Sequence, residues 1–174
     1  EFQTERLLIR QLSLNDLASY THLHGNAKVM NMIPSPIMSA TESRVDLIQQ
    51  IENYSNAKAT LKVWAIEEKI SHQFVGTCAL VFLEEGMEIG YRFDDQYWGK
   101  GYGAETTEGL IEYAFAKFDE SRIIAMADKR NQGSIKILQK YFTFIREEYK
   151  EKDDCMDVIF HLDKDKMAKH PNKN

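Results

Sequence analysis

Three glycines within five residues constrain the fold of this chain more than any other feature. Gly99, Gly101 and Gly103 come directly before a stretch, from about residue 104 to residue 118, with apolar residues at helical spacing. Glycines adopt positive φ and let the backbone approach an anion closely, and a helix start adds unpaired N–H groups and a positive dipole end. The pattern predicts a turn that holds a phosphate or pyrophosphate. A flexible loop is the alternative interpretation.

Two better-known phosphate-binding motifs fit this turn less well. A Walker A loop needs Gly-Lys followed by Ser or Thr, and the chain has no such tripeptide here. Residues 99–104 do satisfy the dinucleotide-binding pattern, but residues 94–98 separate them from the preceding strand. In addition, Asp119 and Glu120 precede the next strand instead of ending it. A nicotinamide-dependent oxidoreductase stays open as an alternative.

The apolar pattern on both sides of the turn predicts a mixed sheet. Three candidate strands, at residues 62–67, 74–83 and 87–93, follow one another through short connections and should form an antiparallel meander. Other predicted strands are at residues 6–11, 122–127, 143–151 and 156–162. We expect an α/β (mixed α+β) fold: one domain, residues 1–163, with a central twisted, mostly antiparallel sheet of about seven strands and four helices. A polar tail should follow at residues 164–174.

The second predicted helix has a clear start signal. Ser39 is followed three residues later by Glu42, the spacing of a capping box. Val45, Ile48 and Ile51 then recur at helical spacing. This spacing predicts that these three side chains form the buried face of the helix.

Charge and composition limit the classes of partner. A chain of 174 residues is long enough for one core, and its formal net charge is −5. We expect no direct nucleic-acid partner, because phosphate backbones bind clustered Lys and Arg. No stretch approaches the roughly 20 apolar residues of a membrane-spanning helix, so no membrane partner is expected. Cys78 and Cys155 lie in separate apolar segments, which favours buried free thiols and a reducing, cytoplasmic location.

Several stretches together make the sequence resemble the GNAT superfamily of acyl-CoA-dependent N-acetyltransferases, closest to the branch that acetylates the N-termini of ribosomal proteins. The matching stretches are residues 4–10, 88–91 and 97–103 with Glu105, and Asn131 followed by Ser134, Leu138 and Lys140. The resemblance covers most of the chain, up to about Phe160. It implies a sheet that splays open between the fourth and fifth predicted strands, where the pantetheine arm of acetyl-CoA meets an amine.

The resemblance also implies which residues bind acetyl-CoA. Asn131 would contact the pantetheine or phosphate region, although it could instead form a capping turn before its helix. The pyrophosphate would be held by the backbone amides of the turn, which are those of Trp98, Gly99, Lys100, Gly101, Tyr102, Gly103 and Ala104.

The resemblance is incomplete around the last predicted helix of the domain. The tyrosine that many family members use as an acid falls on Leu138, so Ser134 is the expected substitute; Ser134 could instead cap its helix. The family commonly ends this helix with Gly-Phe, whereas residues 140–144 contain no glycine. The helix end is therefore expected to have a different shape.

Acetyl transfer to an amine requires a neutral nitrogen and a proton for the departing thiolate. An α-amine has a pKa of about 8, so a modest base is sufficient. Glu88 is the candidate, because it lies on the strand face opposite Met87 and Ile89, beside Gly90, whose missing side chain leaves room for a substrate. A solvated strand glutamate is the alternative. Glu105 is expected to complement the helix N-terminus and not to catalyse.

These observations predict an N-acetyltransferase that moves an acetyl group from acetyl-CoA to a primary amine, by direct attack in a ternary complex. A protein N-terminal α-amine is the leading acceptor. A small amine, such as an antibiotic or a polyamine, and a non-catalytic acyl-CoA-binding module are the alternatives. No metal is expected, since His22 and His24 are two residues apart and do not share a helix face. The sequence does not distinguish a monomer from a homodimer.

Overall fold

The alternating apolar residues before the glycine turn form three neighbouring strands. The computed structural model, which describes residues 1–33 and 35–167, places β3 (Leu61–Glu68), β4 (Phe74–Leu83) and β5 (Gly86–Phe93) side by side. Both pairs of neighbours are antiparallel. The predicted meander is therefore confirmed.

The described residues form one sheet of eight strands, where the sequence predicted about seven. The strand order is β1-β2-β3-β4-β5-β6-β8-β7. The additional strand is β1, whose two residues are too few to produce an apolar pattern. The remaining strands are β1 (Phe2–Gln3), β2 (Leu7–Gln11), β6 (Arg122–Asp128), β7 (Thr143–Lys150) and β8 (Cys155–Asp163).

The described part of the chain has six helices, two more than the sequence predicted. Two of them, α2 (Ala27–Met30) and α6 (Lys164–Met167), have four residues each and are too short to show a periodic pattern. The helix α6 begins the predicted polar tail, and residues 168–174 of that tail lie outside the described residues. The six helices are α1 (Leu17–Gly25), α2 (Ala27–Met30), α3 (Ala40–Asn53), α4 (Tyr102–Lys117), α5 (Gln132–Tyr141) and α6 (Lys164–Met167).

One pair of strands in this sheet is parallel, and it is short. β5 pairs with β6 only from Met87 opposite Ile123 to Ile89 opposite Ala125. A parallel connection needs a crossover, and α4 supplies it. Beyond the paired residues β5 continues to Phe93, so the two strands separate. These are the fourth and fifth predicted strands, and the predicted splay lies between them.

The predicted start of α3 is confirmed, but its predicted buried face is wrong at Val45 and Ile48; only Ile51 packs against the core. Ser39 N donates to Glu42 Oε2 at 2.8 Å, and Glu42 N donates to Ser39 Oγ at 3.3 Å, which completes the capping box. Val45 is 65% exposed and Ile48 is 37% exposed, whereas Leu47 is fully buried. The helix is rotated by about one residue from the predicted orientation.

The buried face of α3 contains polar residues, and this explains the error. Ser43 and Gln50 are buried on the same face as Leu47. Gln50 Nε2 donates to Asp46 Oδ1 at 3.2 Å. Because polar side chains occupy the inner face, the spacing of the apolar residues indicated the wrong side of the helix.

The orientation of α3 predicts a contrast between two alanine variants. Leu47→Ala should lower the free energy of unfolding by about 2–5 kcal/mol, because Leu47 packs with Leu12, Tyr20 and Ala65 in a buried cluster. Val45→Ala should change it by less than about 0.5 kcal/mol, because the side chain is exposed. Urea denaturation of both variants measures the difference, and equal losses would contradict this orientation.

Candidate active site

Two of the three glycines have the backbone conformation that the turn requires. Gly99 has a φ of 75° and Gly101 a φ of 82°, both in the left-handed region that favours glycine. Gly103 lies inside α4 and has a different role, since a Cβ there would come within 2.9 Å of Ile137 Cδ1. The third glycine therefore allows α4 to pack closely on α5.

The first turn of α4 presents unpaired amides next to these glycines. The helix begins at Tyr102, and Glu105 N donates to Gly101 O at 3.2 Å. The N–H groups of Tyr102, Gly103 and Ala104 precede that bond and lack acceptors within the helix. Together with the positive end of the helix dipole, they have the geometry that favours an anion at a helix start.

The side chains of the turn lie at its rim. Lys100 is exposed, and its Nζ lies 4.8 Å from the centre of the Tyr97 ring. Trp98 is 53% exposed, while its Nε1 donates to Phe93 O at 2.9 Å. The rim therefore offers a cationic and an aromatic group to a ligand held by the backbone.

Residues from the start of the chain fix the turn in place. Arg6 Nη1 donates to Lys100 O at 2.9 Å, and Arg6 Nε donates to Glu105 Oε2 at 2.7 Å. Thr4 Oγ1 also donates to the Glu105 carboxylate. Burial alone would raise the pKa of Glu105, but the hydrogen bonds from Thr4 and Arg6 hold it below the usual range. Glu105 therefore joins the first strands to the glycine turn.

A cleft of about 420 Å³ lies where β5 and β6 separate. Glu88, Asn131 and Ser134 all line it, so the structure brings the predicted catalytic residues and Asn131 together. Gly90 is on its floor, and a Cβ at that position would meet no heavy atom within 4 Å. The room that the sequence predicted beside Gly90 is present.

The environment of Glu88 suits a base. Its pKa is raised from the usual value of 4.5, first by burial and then by the negative charge of Asp157. Lys150 opposes this shift, but its ammonium group is hydrogen-bonded to Glu148. A carboxylate with a raised pKa is a stronger base than a solvated glutamate.

Ser134 does not cap its helix, which settles one of the two predicted roles. Asn131 is the N-cap of α5, and its Oδ1 accepts from Ser134 N at 3.1 Å. The Ser134 hydroxyl instead lies 3.2 Å from Tyr91 Oη. Leu138 is buried and lines the cleft without offering a proton. Tyr91 and Ser134 therefore place a pair of neighbouring hydroxyl groups in the cleft.

Tyr91 is a site residue that the sequence analysis missed. It belongs to the stretch 88–91, which the sequence identified only as a strand segment. Its ring packs beside the turn, 3.3 Å from the position that a Cβ on Gly103 would occupy. Burial raises the pKa of Tyr91, so its hydroxyl keeps its proton at neutral pH.

Other features of the described residues bear on predicted partners. Within residues 1–33 and 35–167, no three His, Cys, Asp or Glu side chains are grouped so that they could hold a metal ion. Cys78 and Cys155 are buried free thiols, as predicted. His22 contacts Asp94 at 2.9 Å and is not beside His24 in a shared site. No helix in this part of the chain has the length and apolar character needed to cross a bilayer.

The end of α5, where the sequence lacks a glycine, has no left-handed residue. The helix stops at Tyr141, and Phe142 has an extended backbone with a φ of −118°. Phe142 N donates to Leu138 O at 2.8 Å. The chain therefore leaves α5 without a left-handed residue.

Comparison with known proteins supports the resemblance. The family model described as "Acetyltransferase (GNAT) domain" matches residues 6–141. The chain is 32% identical over 141 residues to the "Uncharacterized N-acetyltransferase p20" of Bacillus licheniformis, a match that covers 78% of this chain and 77% of the relative.

Two proteins whose solved structures have folds similar to that of this chain are named for different acceptors. The structure of RimL, the ribosomal L7/L12 alpha-N-protein acetyltransferase, in complex with coenzyme A superposes with a TM-score of 0.78 at 17% identity, covering 92% of this chain and 95% of that one. The spermidine N-acetyltransferase of Vibrio cholerae with CoA and spermine gives a TM-score of 0.78 at 15% identity, covering 94% and 98%.

The two structures share the fold of this chain, and the match to the family model spans the glycine turn and all the residues that line the cleft except Asp157. The chain therefore belongs to the GNAT family and is an acyl-CoA-dependent N-acetyltransferase.

Proposed function

We propose that this enzyme acetylates a protein N-terminal α-amine by direct attack in a ternary complex with acetyl-CoA. One observation carries the proposal: Glu88, Gly90 and Ser134 line one cleft at the opening of the sheet. A carboxylate, an open floor and a hydroxyl group therefore border the same space. The two solved structures give acceptors of different kinds, so the choice of acceptor depends on the residues of this chain.

The turn has the features needed to hold acetyl-CoA, which supplies the acetyl thioester. The amides of residues 98–104 would bind the pyrophosphate, with Lys100 adding positive charge. The Lys100 carbonyl oxygen would repel an anion, but Arg6 binds it. Asn131 lines the cleft while it caps α5, and we assign it to the pantetheine side.

Glu88 would take the proton of the acceptor. An α-amine is partly protonated near neutral pH, because its pKa is about 8. A carboxylate accepts a proton only when it is ionised, so the raised pKa of Glu88 moves the onset of activity to higher pH. Above that pKa, the base is fully available.

Glu88→Gln should lower kcat/KM for the acceptor by about 10²- to 10⁴-fold and remove the rise in rate that follows ionisation of Glu88. The rise at higher pH that follows deprotonation of the acceptor amine should remain. Glu85→Gln is the matched control, because Glu85 is exposed in the turn between β4 and β5. If the variant transfers the acetyl group as fast as the wild-type enzyme over about pH 6 to 9, Glu88 is not the base.

Ser134 would protonate the departing thiolate, with Tyr91 as its hydrogen-bond partner at 3.2 Å. This assignment fills the role that is vacant at Leu138. It follows from the cap geometry, because Asn131 binds the backbone N–H of Ser134 and leaves the hydroxyl free of the helix end.

Ser134→Ala should lower kcat by about 10²-fold without changing the melting temperature, since alanine keeps the backbone N–H that Asn131 binds. Steady-state kinetics and a thermal melt measure the two effects. Ser121→Ala, at an exposed position, is the control. An unchanged kcat would exclude Ser134 as the acid and favour a water molecule.

One observation favours a polyamine as the second candidate acceptor. Four carboxylates line the cleft, those of Asp46, Glu88, Asp128 and Asp157. A cluster of this kind attracts a multiply charged cation. A non-catalytic acyl-CoA-binding module would instead bind acetyl-CoA without transfer to any amine.

A further inference from the structure

The acceptor face of the cleft contains one cationic side chain, that of Arg92, among the described residues that line it. Arg92 is on β5, two residues beyond Gly90, and the alternation of the strand places both on the same face. Burial lowers the pKa of its guanidinium, while Tyr20 and Asp46 oppose the shift. The group stays charged, because an arginine guanidinium keeps its proton in proteins.

The contacts of this guanidinium within the protein are weak. Its Nη1 lies 3.5 Å from His24 Nε2 and 3.6 Å from Met30 Sδ. Burial lowers the pKa of His24 to about 4, so this imidazole is neutral and offers no counter-charge. Among the residues that the structure describes, no carboxylate forms an ion pair with Arg92. A partly buried charge without a counter-ion is costly unless a ligand supplies one.

The nearby carboxylates are bound to other groups. Asp46 accepts from the Tyr20 hydroxyl and from Gln50 Nε2. Asp128 is held by Arg130, with 2.5 Å between Oδ2 and Nη2. Arg92 therefore forms no direct ion pair with Asp46 or Asp128, and the negative charge of Asp46 acts on it only through space.

The floor of the cleft has opposite charges at its two ends. Glu88, Gly90 and Arg92 alternate along one strand face, so each step between them is roughly 6–7 Å. Gly90, in the middle, has open space above it. Glu88 and Arg92 both line the cleft, so their side chains border the space above Gly90 from opposite sides. An acceptor bound there would have its amine next to Glu88 and the adjacent oxygen next to Arg92.

We propose that Arg92 is a specificity-determining residue, which binds the carbonyl or carboxylate oxygen next to the α-amine of a peptide or amino acid. This inference rests on the proposed function, and it favours an α-amine over a polyamine as the acceptor. A guanidinium donates two parallel hydrogen bonds to a carboxylate, and it can donate to the single oxygen of a carbonyl. It repels the second and third ammonium groups of a polyamine.

The test compares kcat/KM for three acceptors at saturating acetyl-CoA: a tetrapeptide with an N-terminal alanine, free alanine and spermidine. Arg92→Gln should lower the ratio of kcat/KM for the tetrapeptide or alanine to that for spermidine by about 10- to 100-fold. The ratio for Arg92→Lys should lie between those of the wild-type enzyme and Arg92→Gln, because lysine keeps the charge and loses the planar fork. Arg122→Gln, at an exposed ion pair with Asp163, is the matched control and should leave the ratio unchanged.

A thermal melt with acetyl-CoA checks that each variant is folded and binds the donor. The inference is overturned if Arg92→Gln lowers transfer to all three acceptors by the same factor, or if the wild-type enzyme already prefers spermidine. A larger loss with alanine assigns Arg92 to a carboxylate, and a larger loss with the tetrapeptide assigns it to a peptide carbonyl. Wild-type protein that binds acetyl-CoA but acetylates no amine would overturn the proposed function as well.

Discussion

The parallel contact between β5 and β6 is limited to the residues from Met87 to Ile89, and the site depends on this limit. A parallel pair requires a crossover, which here is α4, so the start of that helix lies next to the opening of the sheet. Where the strands separate, residues from both faces of β5 line the cleft. Tyr91 faces the helices, while Gly90 forms the floor of the acceptor cleft. Longer pairing would close the space that both substrates need.

The glycine turn is held by the beginning of the chain, through a contact between distant parts of the sequence. Arg6 binds both the carbonyl of Lys100 and the carboxylate of Glu105. The ion pair with Glu105 lies partly exposed, so its own contribution to stability is small. Its importance is positional, because it fixes the carbonyl that would otherwise oppose an anion. A flexible turn would have to be ordered by the ligand, at a cost in affinity.

The sequence predicted the features that depend on local chemistry. The meander, the Ser39 capping box and the left-handed Gly99 and Gly101 follow from periodicity and from the conformational freedom of glycine. The prediction of the buried face of α3 was wrong at Val45 and Ile48, because polar residues such as Gln50, which lines the cleft, lie on the inner face. The roles of Tyr91 and Arg92 depend on which side chains meet across the sheet, and periodicity carries no information on that.

Residues 98–104 are proposed to bind the pyrophosphate of acetyl-CoA. A thermal melt of the wild-type protein with acetyl-CoA, and with NADH and ATP as comparators, tests this binding most directly. Ligand at about 100 times its dissociation constant adds roughly 2.7 kcal/mol of stability. For a chain of this size, the midpoint should rise by about 5 to 11 °C with acetyl-CoA alone. No rise at millimolar acetyl-CoA, or a larger rise with NADH, would contradict the account.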